Sequence, residues 1–342
     1  MARHDPDRYR AAERRLIEHH GVEVREHVVP AGAAGGAVRV LETGSGPATL
    51  FVHGSPNAAA TWLGLAARLP GRRCLMLERP GAGLSEPVAW TDHRAQTAQI
   101  QTAVLDHLGV DDVDAVGSSF GGLYVLDLAR AHPERVRRVL LLGAPGGLTS
   151  LPYPAVIRGL SLPIPGFVLA RALKPDADGA RDMFAQIGHG ESVRSGAIAP
   201  VVFDWYSALL RHTDTVPNLA REVRAIATPL GYRSTASLSD QQLTVLARPV
   251  DLLWGDQDPF ATPAQADATA AAIGARIAHY PGMGHLPWMD DPVRIADAMD
   301  AILGSPPQEV PASVPSPAGR AAGRSGPVPE GEFAYGGRQR PS

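Results

Sequence analysis

Short apolar runs bounded by glycine or proline recur along this chain: Leu50-Phe51-Val52, Cys74 to Leu77, Val113 to Val116, Val139 to Leu142 and Val250 to Trp254. A run that is apolar at consecutive positions belongs to a strand covered on both faces, as in a parallel sheet. Between the first four runs lie patterns of helical period. Trp62, Leu65, Ala66 and Leu69 share one face, as do Ile100, Val104 and Leu108. Leu123, Leu126 and Ala129 do the same before His132-Pro133 ends that helix. Strand and helix in alternation predict a doubly wound, mostly parallel α/β sheet. Ahead of it, Val22 to Val29 and Val38 to Leu41 read as two antiparallel strands. Pro292 to Leu303 reads as a closing helix with Ile295, Met299 and Ile302 facing inward.

Two segments break this rhythm. From Leu148 to Arg248 no strand run appears, and helical pattern is interrupted by proline stops at Pro175, Pro200, Pro217 and Pro229. That predicts a helical insertion over one edge of the sheet. From Ser305 to Ser342 proline, glycine, serine and alanine dominate, the composition of a disordered tail. The chain therefore divides into a first core part at 1–147, a helical insertion at 148–248, a second core part at 249–304 and a tail at 305–342.

With 44% hydrophobic and 20% charged residues, the 342-residue chain has the make-up of a globular protein. A net charge of −3 gives no general attraction to nucleic acid or to anionic membranes, so neither is expected as a partner. The only cysteine, Cys74, sits in an apolar run; it excludes an intramolecular disulfide and reads as a buried thiol. The first twenty residues are charged throughout without an apolar h-region, and no stretch reaches the ~20 apolar residues of a membrane span. A cytoplasmic protein is the expectation.

The strongest chemical signal is Gly117-Ser118-Ser119-Phe120-Gly121, a G-x-S-x-G placed directly after a predicted strand and before a predicted helix. A sharp strand-to-helix turn holds the central serine in a strained backbone conformation, with its hydroxyl above a helix N-terminus. Ser119, not Ser118, has glycine at both i−2 and i+2, so Ser119 is the expected nucleophile. A serine hydroxyl needs a base, and the base needs a group to orient it. In this strand–turn–helix arrangement the chain order is serine, acid, histidine. After the last strong strand run, Gly255-Asp256-Gln257-Asp258-Pro259 offers two carboxylates. Asp256, beside Gly255, suits hydrogen bonding to the turn's own amides, and Pro259 extends the backbone at Asp258, so Asp258 is the expected acid. Among twelve histidines, His285 in Gly282-Met283-Gly284-His285 falls in a loop after both and is the expected base. Upstream, His53-Gly54-Ser55-Pro56-Asn57 follows the first central strand. Its Ser55 amide, with that of Phe120, is the expected oxyanion hole, and His53 is read as tying that loop together. Glu78 to Ser85 fails as a dinucleotide fingerprint because Glu86 stands where a glycine is required, and the one lysine, Lys174, precedes proline, which excludes a P-loop. No spacing suggests a metal site. Neither metal nor cofactor is expected.

These motifs, in this order, resemble the α/β-hydrolase superfamily in its capped form. The resemblance runs from about Val22 to Leu303 through the H-G loop, the R-P-G-x-G-x-S turn at Arg79 to Ser85, the G-x-S-x-G, the Gly255 to Asp258 turn and Gly284-His285. It implies Ser119 as nucleophile, Asp258 as acid, His285 as base, Ser55 and Phe120 as oxyanion donors, and the insertion as a cap over a small-molecule substrate. The H-G-x-P loop is similar to that of haloalkane dehalogenases and epoxide hydrolases, which carry aspartate where Ser119 stands. Hydrolases of carbon–carbon bonds in ring-cleavage products tend to have glycine where Pro56 stands, and proline iminopeptidases tend to have tryptophan where Phe120 stands. The resemblance therefore implies a serine esterase, thioesterase or lactonase. The alternatives are a carbon–carbon hydrolase or a non-hydrolytic, ligand-binding member of the fold. Oligomeric state is left open.

Overall fold

A computed structural model of the chain describes residues 5–162, 168, 175–244 and 246–304. The expected tail at 305–342 and Lys174 lie outside the described residues. Eight strands form one sheet in the order β1-β2-β4-β3-β5-β6-β9-β10. They are β1 Arg25–Pro30, β2 Ala37–Thr43, β3 Ala48–Val52, β4 Arg73–Glu78, β5 Val113–Ser118, β6 Val136–Leu142, β9 Val250–Gly255 and β10 Arg276–Tyr280. The first two join antiparallel to each other and to β4, and every other pairing is parallel. The five apolar runs are the five central strands, and their alternate residues feed cores on opposite faces. Phe51, Met76 and Val116 pack with Trp62 on one side, while Leu50, Val52, Leu75 and Ala115 pack with Ile100 and Leu123 on the other.

The chain runs from β3 outward to β4, then returns across β3 to β5, so strand order reverses between β3 and β5. In open α/β sheets, ligands bind outside the carboxyl ends of the strands at such a reversal. Those two ends lead into His53-Gly54-Ser55 and into Ser119.

Between β6 and β9 lie the helices Ala155–Ser161, Ala177–Phe184, Gly190–Ser195, Pro200–His212 and Thr215–Ile226. Two of the prolines expected to stop helices start them instead. Pro200 opens its helix and Pro217 lies in the first turn of the next, where a proline's missing N–H has no intrahelical partner to lose. The segment also contains a pair of two-residue strands absent from the sequence reading, β7 Ala227–Thr228 and β8 Gly231–Tyr232, turning through Pro229-Leu230. The strands that flank the insertion, β6 and β9, are parallel sheet neighbours, so it leaves the carboxyl end of one inner strand and returns to the amino end of the next. A long amino-terminal helix, Pro6–His20, joins it, with the Asp5 amide donating to the His212 carbonyl at 3.0 Å. Among the described residues no helix is long and apolar enough to cross a membrane.

Candidate active site

Ser119 stands between β5 and the helix Phe120–Ala131 with φ 51° and ψ −124°, the one non-glycine residue of positive φ among the described residues. The turn is this tight because its neighbours carry no side chain. A Cβ on Gly121 would lie 2.0 Å from the Val52 carbonyl oxygen, and one on Gly117 would lie 2.5 Å from that of Gly121. The Ser119 carbonyl accepts from the amides of Gly122 and Gly146 at 2.9 and 2.8 Å. Backbone strain is thus held in place from two sides. Ser118, by contrast, is wholly buried within β5.

His285 and Asp258 meet: the histidine Nδ1 lies 2.7 Å from Asp258 Oδ2. That carboxylate also accepts the Ala144 amide at 2.8 Å and the Phe260 amide at 2.9 Å. Burial pushes the Asp258 carboxyl up, but His285 beside it and these two amides outweigh burial and hold it below its ordinary value. Asp256 lies elsewhere. It pairs with His279 Nδ1 at 2.7 Å instead of bonding its own turn, because β10 lies parallel to β9 with His279 opposite Trp254.

Ser119 and His285 line one cavity without a hydrogen bond between them among the described residues; such contacts are often long until substrate binds. The loop after β3 passes against Ser119, where a Cβ on Gly54 would lie 2.7 Å from the serine Cβ. Ser55 and Phe120 border the same space, and neither amide has a hydrogen-bond partner among the described residues. His53 has the structural part expected of it. Its Nδ1 donates to the Gly54 carbonyl at 2.7 Å and its Nε2 accepts the Arg79 amide at 3.0 Å. Burial, then the Arg79 charge, pushes its pKa down to about 3, so the ring is neutral.

The larger cavity, about 470 Å³, is walled by Ile157, Leu160, Met183, Phe184, Val216 and Leu219 from the inserted helices. A smaller pocket of about 50 Å³ shares the same serine and histidine and is lined in addition by Gly147, Leu151 and Tyr232. Of the inserted aromatics, Tyr206 lines the large cavity, while Phe203 packs edge-on against Phe184. Trp205 is buried facing Leu16 of the amino-terminal helix. Among the described residues no cluster of histidine, cysteine, aspartate and glutamate is suited to a metal ion.

A family model for the alpha/beta hydrolase fold matches residues 47–292. The chain belongs to this family. It is a hydrolase, and its substrate is accordingly a small molecule. One relative, an uncharacterised protein of Mycobacterium tuberculosis (strain ATCC 25618 / H37Rv), is 28% identical over 268 residues, 76% of either chain. A 2-hydroxymuconate semialdehyde hydrolase of Pseudomonas putida is 28% identical over 279 residues, covering 79% of this chain and 92% of its own. Among solved structures, the carboxylesterase CesB of Bacillus subtilis superposes with a TM-score of 0.69 at 20% identity, over 88% of this chain and 99% of its own. That likeness is one of fold.

The hydrolase site also involves residues the sequence reading passed over. Arg79, seen there in a rejected glycine motif and at the head of the R-P-G-x-G-x-S turn but given no role, donates through Nη1 to Ser55 Oγ at 2.6 Å and pairs through Nη2 with Glu222. His189, in the insertion, touches the loop of His285. The glycine before it, Gly188, was a signal of close backbone approach.

Proposed function

We propose that this hydrolase cleaves a small, largely apolar carboxylic ester, thioester or lactone through an acyl-enzyme on Ser119. The carrying observation is the cavity of about 470 Å³, apolar in its inserted-helix wall, that reaches both Ser119 and His285. His285 takes the serine proton as Oγ bonds to the carbonyl carbon, and Asp258 holds the histidine in the tautomer that receives it. The amides of Ser55 and Phe120 hold the tetrahedral oxyanion, each such donor being worth roughly 3 kcal/mol of barrier. His285 then returns the proton to the departing alcohol or thiol. Water, deprotonated by the same histidine, adds to the acyl carbon and releases the acid and Ser119. On this reading the inserted helices form the cap. The two spaces beside the serine suit the two halves of an ester, the larger holding the bulkier.

Carbon–carbon cleavage is the second reading, favoured by the relatives named 2-hydroxymuconate semialdehyde hydrolase. Those names denote acidic substrates, and among the described residues the cavity wall carries neither arginine nor lysine. That favours an uncharged ester.

The test is a serine-directed fluorophosphonate together with p-nitrophenyl esters of short and medium chain. Wild type is expected to label and turn over, and Ser119→Ala to do neither while remaining folded. Labelling that survives in Ser119→Ala but vanishes in Ser118→Ala would overturn the assignment. A higher kcat/KM on 2-hydroxymuconic semialdehyde than on any ester would select the carbon–carbon reading.

A further inference from the structure

We propose that His189, backed by Asp290, is a positioning residue that fixes the loop carrying His285 and ties it to the substrate-facing turn Ala185–His189 of the insertion. The proposal rests on the reading of His285 as base. Three consecutive amides of the histidine loop are held by this one assembly. Gly284 donates to Asp290 Oδ2 at 2.8 Å, His285 to the Ile187 carbonyl at 2.9 Å, and Leu286 to His189 Nε2 at 3.2 Å. His189 is wholly buried, and its Nδ1 lies 2.8 Å from Asp290 Oδ2. Ser192 Oγ donates to the other oxygen of that carboxylate at 2.6 Å.

The donors determine the tautomer. A backbone N–H can only donate, so His189 Nε2 carries no proton and Nδ1 donates to Asp290. Asp290 therefore stands to His189 as Asp258 stands to His285, yet His189 lines neither pocket beside Ser119. Its acceptor nitrogen is spent on the backbone one residue beyond the base.

The turn that brings these groups in is a kink between two helices, non-helical at Ile187 (φ −98°, ψ 25°) and at Gly188 (φ 96°, ψ 1°). A Cβ on Gly188 would lie 2.3 Å from the Gln257 carbonyl oxygen and 2.8 Å from Gly284 Cα. The turn thus lies against the loops of both Asp258 and His285. Ile187, whose carbonyl holds the His285 amide, also faces the large cavity beside Gln186. Substrate packed against Ile187 and the base then bear on the same peptide unit. Binding energy from a part of the substrate remote from the reaction is realised in kcat when it aligns the reacting groups.

The test compares His189→Asn, which keeps a donor for Asp290 but does not reach Leu286, with His189→Gln, whose longer side chain restores an acceptor there. Both are assayed at equal folded fraction with an ester that wild type turns over. His189→Asn is expected to lower kcat on the order of a hundredfold, the usual result of displacing a reacting group by about 1 Å. KM should change little and amide exchange at Leu286 should quicken, with His189→Gln recovering most of kcat. Faster exchange with unchanged kcat would overturn the proposal, since the loop would be freed without consequence. So would unchanged exchange, or a His189→Gln enzyme no better than His189→Asn. Failure of the underlying reading is seen separately, in His285→Ala retaining wild-type turnover.

Discussion

Asp256 and Asp258 follow the same strand two residues apart and are bound in unlike ways. Asp258 accepts from His285 and from two amides while almost fully buried. Asp256 shares the part-exposed His279 with Asp267. Asp258→Asn should therefore lower kcat/KM by about 10⁴-fold in a folded enzyme, the cost of leaving a serine-paired histidine in the wrong tautomer. Asp256→Asn removes an exposed ion pair, worth about 1 kcal/mol or less, and should leave turnover intact. Steady-state kinetics and urea midpoints on both variants check this, and the reverse pattern would make Asp256 the acid. The contact of Asp258 with His285 could be anticipated because Gly255 and Pro259 describe the turn locally. The partner of Asp256 was not legible, because it depends on β10 lying beside β9 in a fixed register, a fact of strand order that neither segment encodes alone.

At the level of elements, β5, Ser119 and the following helix form a unit whose tightness rests on backbone contact. The closest neighbour of a Cβ on Gly121 would be the Val52 carbonyl oxygen at 2.0 Å, which belongs to a central strand and cannot yield. On Gly122 the nearest atom would be the Pro145 side chain at 2.9 Å. Gly121→Ala should thus cost at least the roughly 1–3 kcal/mol typical of overpacking and displace Ser119. Gly122→Ala should cost less and retain more activity. Urea unfolding and fluorophosphonate labelling rates measure the two effects, and equal losses would show that contact with β3 is not what the glycine protects. This unit was readable from the sequence because strand, glycines, serine and helix are contiguous. The insertion was readable only as helical. Its prolines punctuate the chain without saying on which side the helix lies, and Pro200 and Pro217 proved to open helices. The short pair β7 and β8 has no apolar run to announce it.

Across the whole molecule, a wholly buried carboxylate, Glu222, joins the inserted helix Thr215–Ile226 to the sheet-side loops. It pairs with Arg79, lies 3.0 Å from His93 Nε2, and accepts from the Tyr124 hydroxyl at 2.9 Å. Arg79 in turn holds Ser55. With Arg79 and Glu222 143 positions apart, no sequence pattern could have paired them. Removing one partner of a buried ion pair strands the other charge, so Glu222→Gln should cost about 3–5 kcal/mol at neutral pH. The same carboxylate makes the cost depend on pH. Burial alone would raise its pKa, but Arg79 above all, then His93 and Tyr124, hold it down to about 2 from an ordinary 4.5. Between those values the unfolded chain takes up a proton that the folded chain refuses, so stability falls as the pH falls. The contribution of Glu222 is complete above about pH 4.5 and lost as pH approaches 2. Acid-sensitive groups that do not interact with Glu222 titrate in wild type and variant alike and cancel in the difference. Urea midpoints for wild type and Glu222→Gln should therefore lie far apart at pH 7, stay so down to about pH 5, and converge toward pH 3. A gap of constant width across that range would mean that the Glu222 carboxyl titrates alike in the folded and unfolded chain.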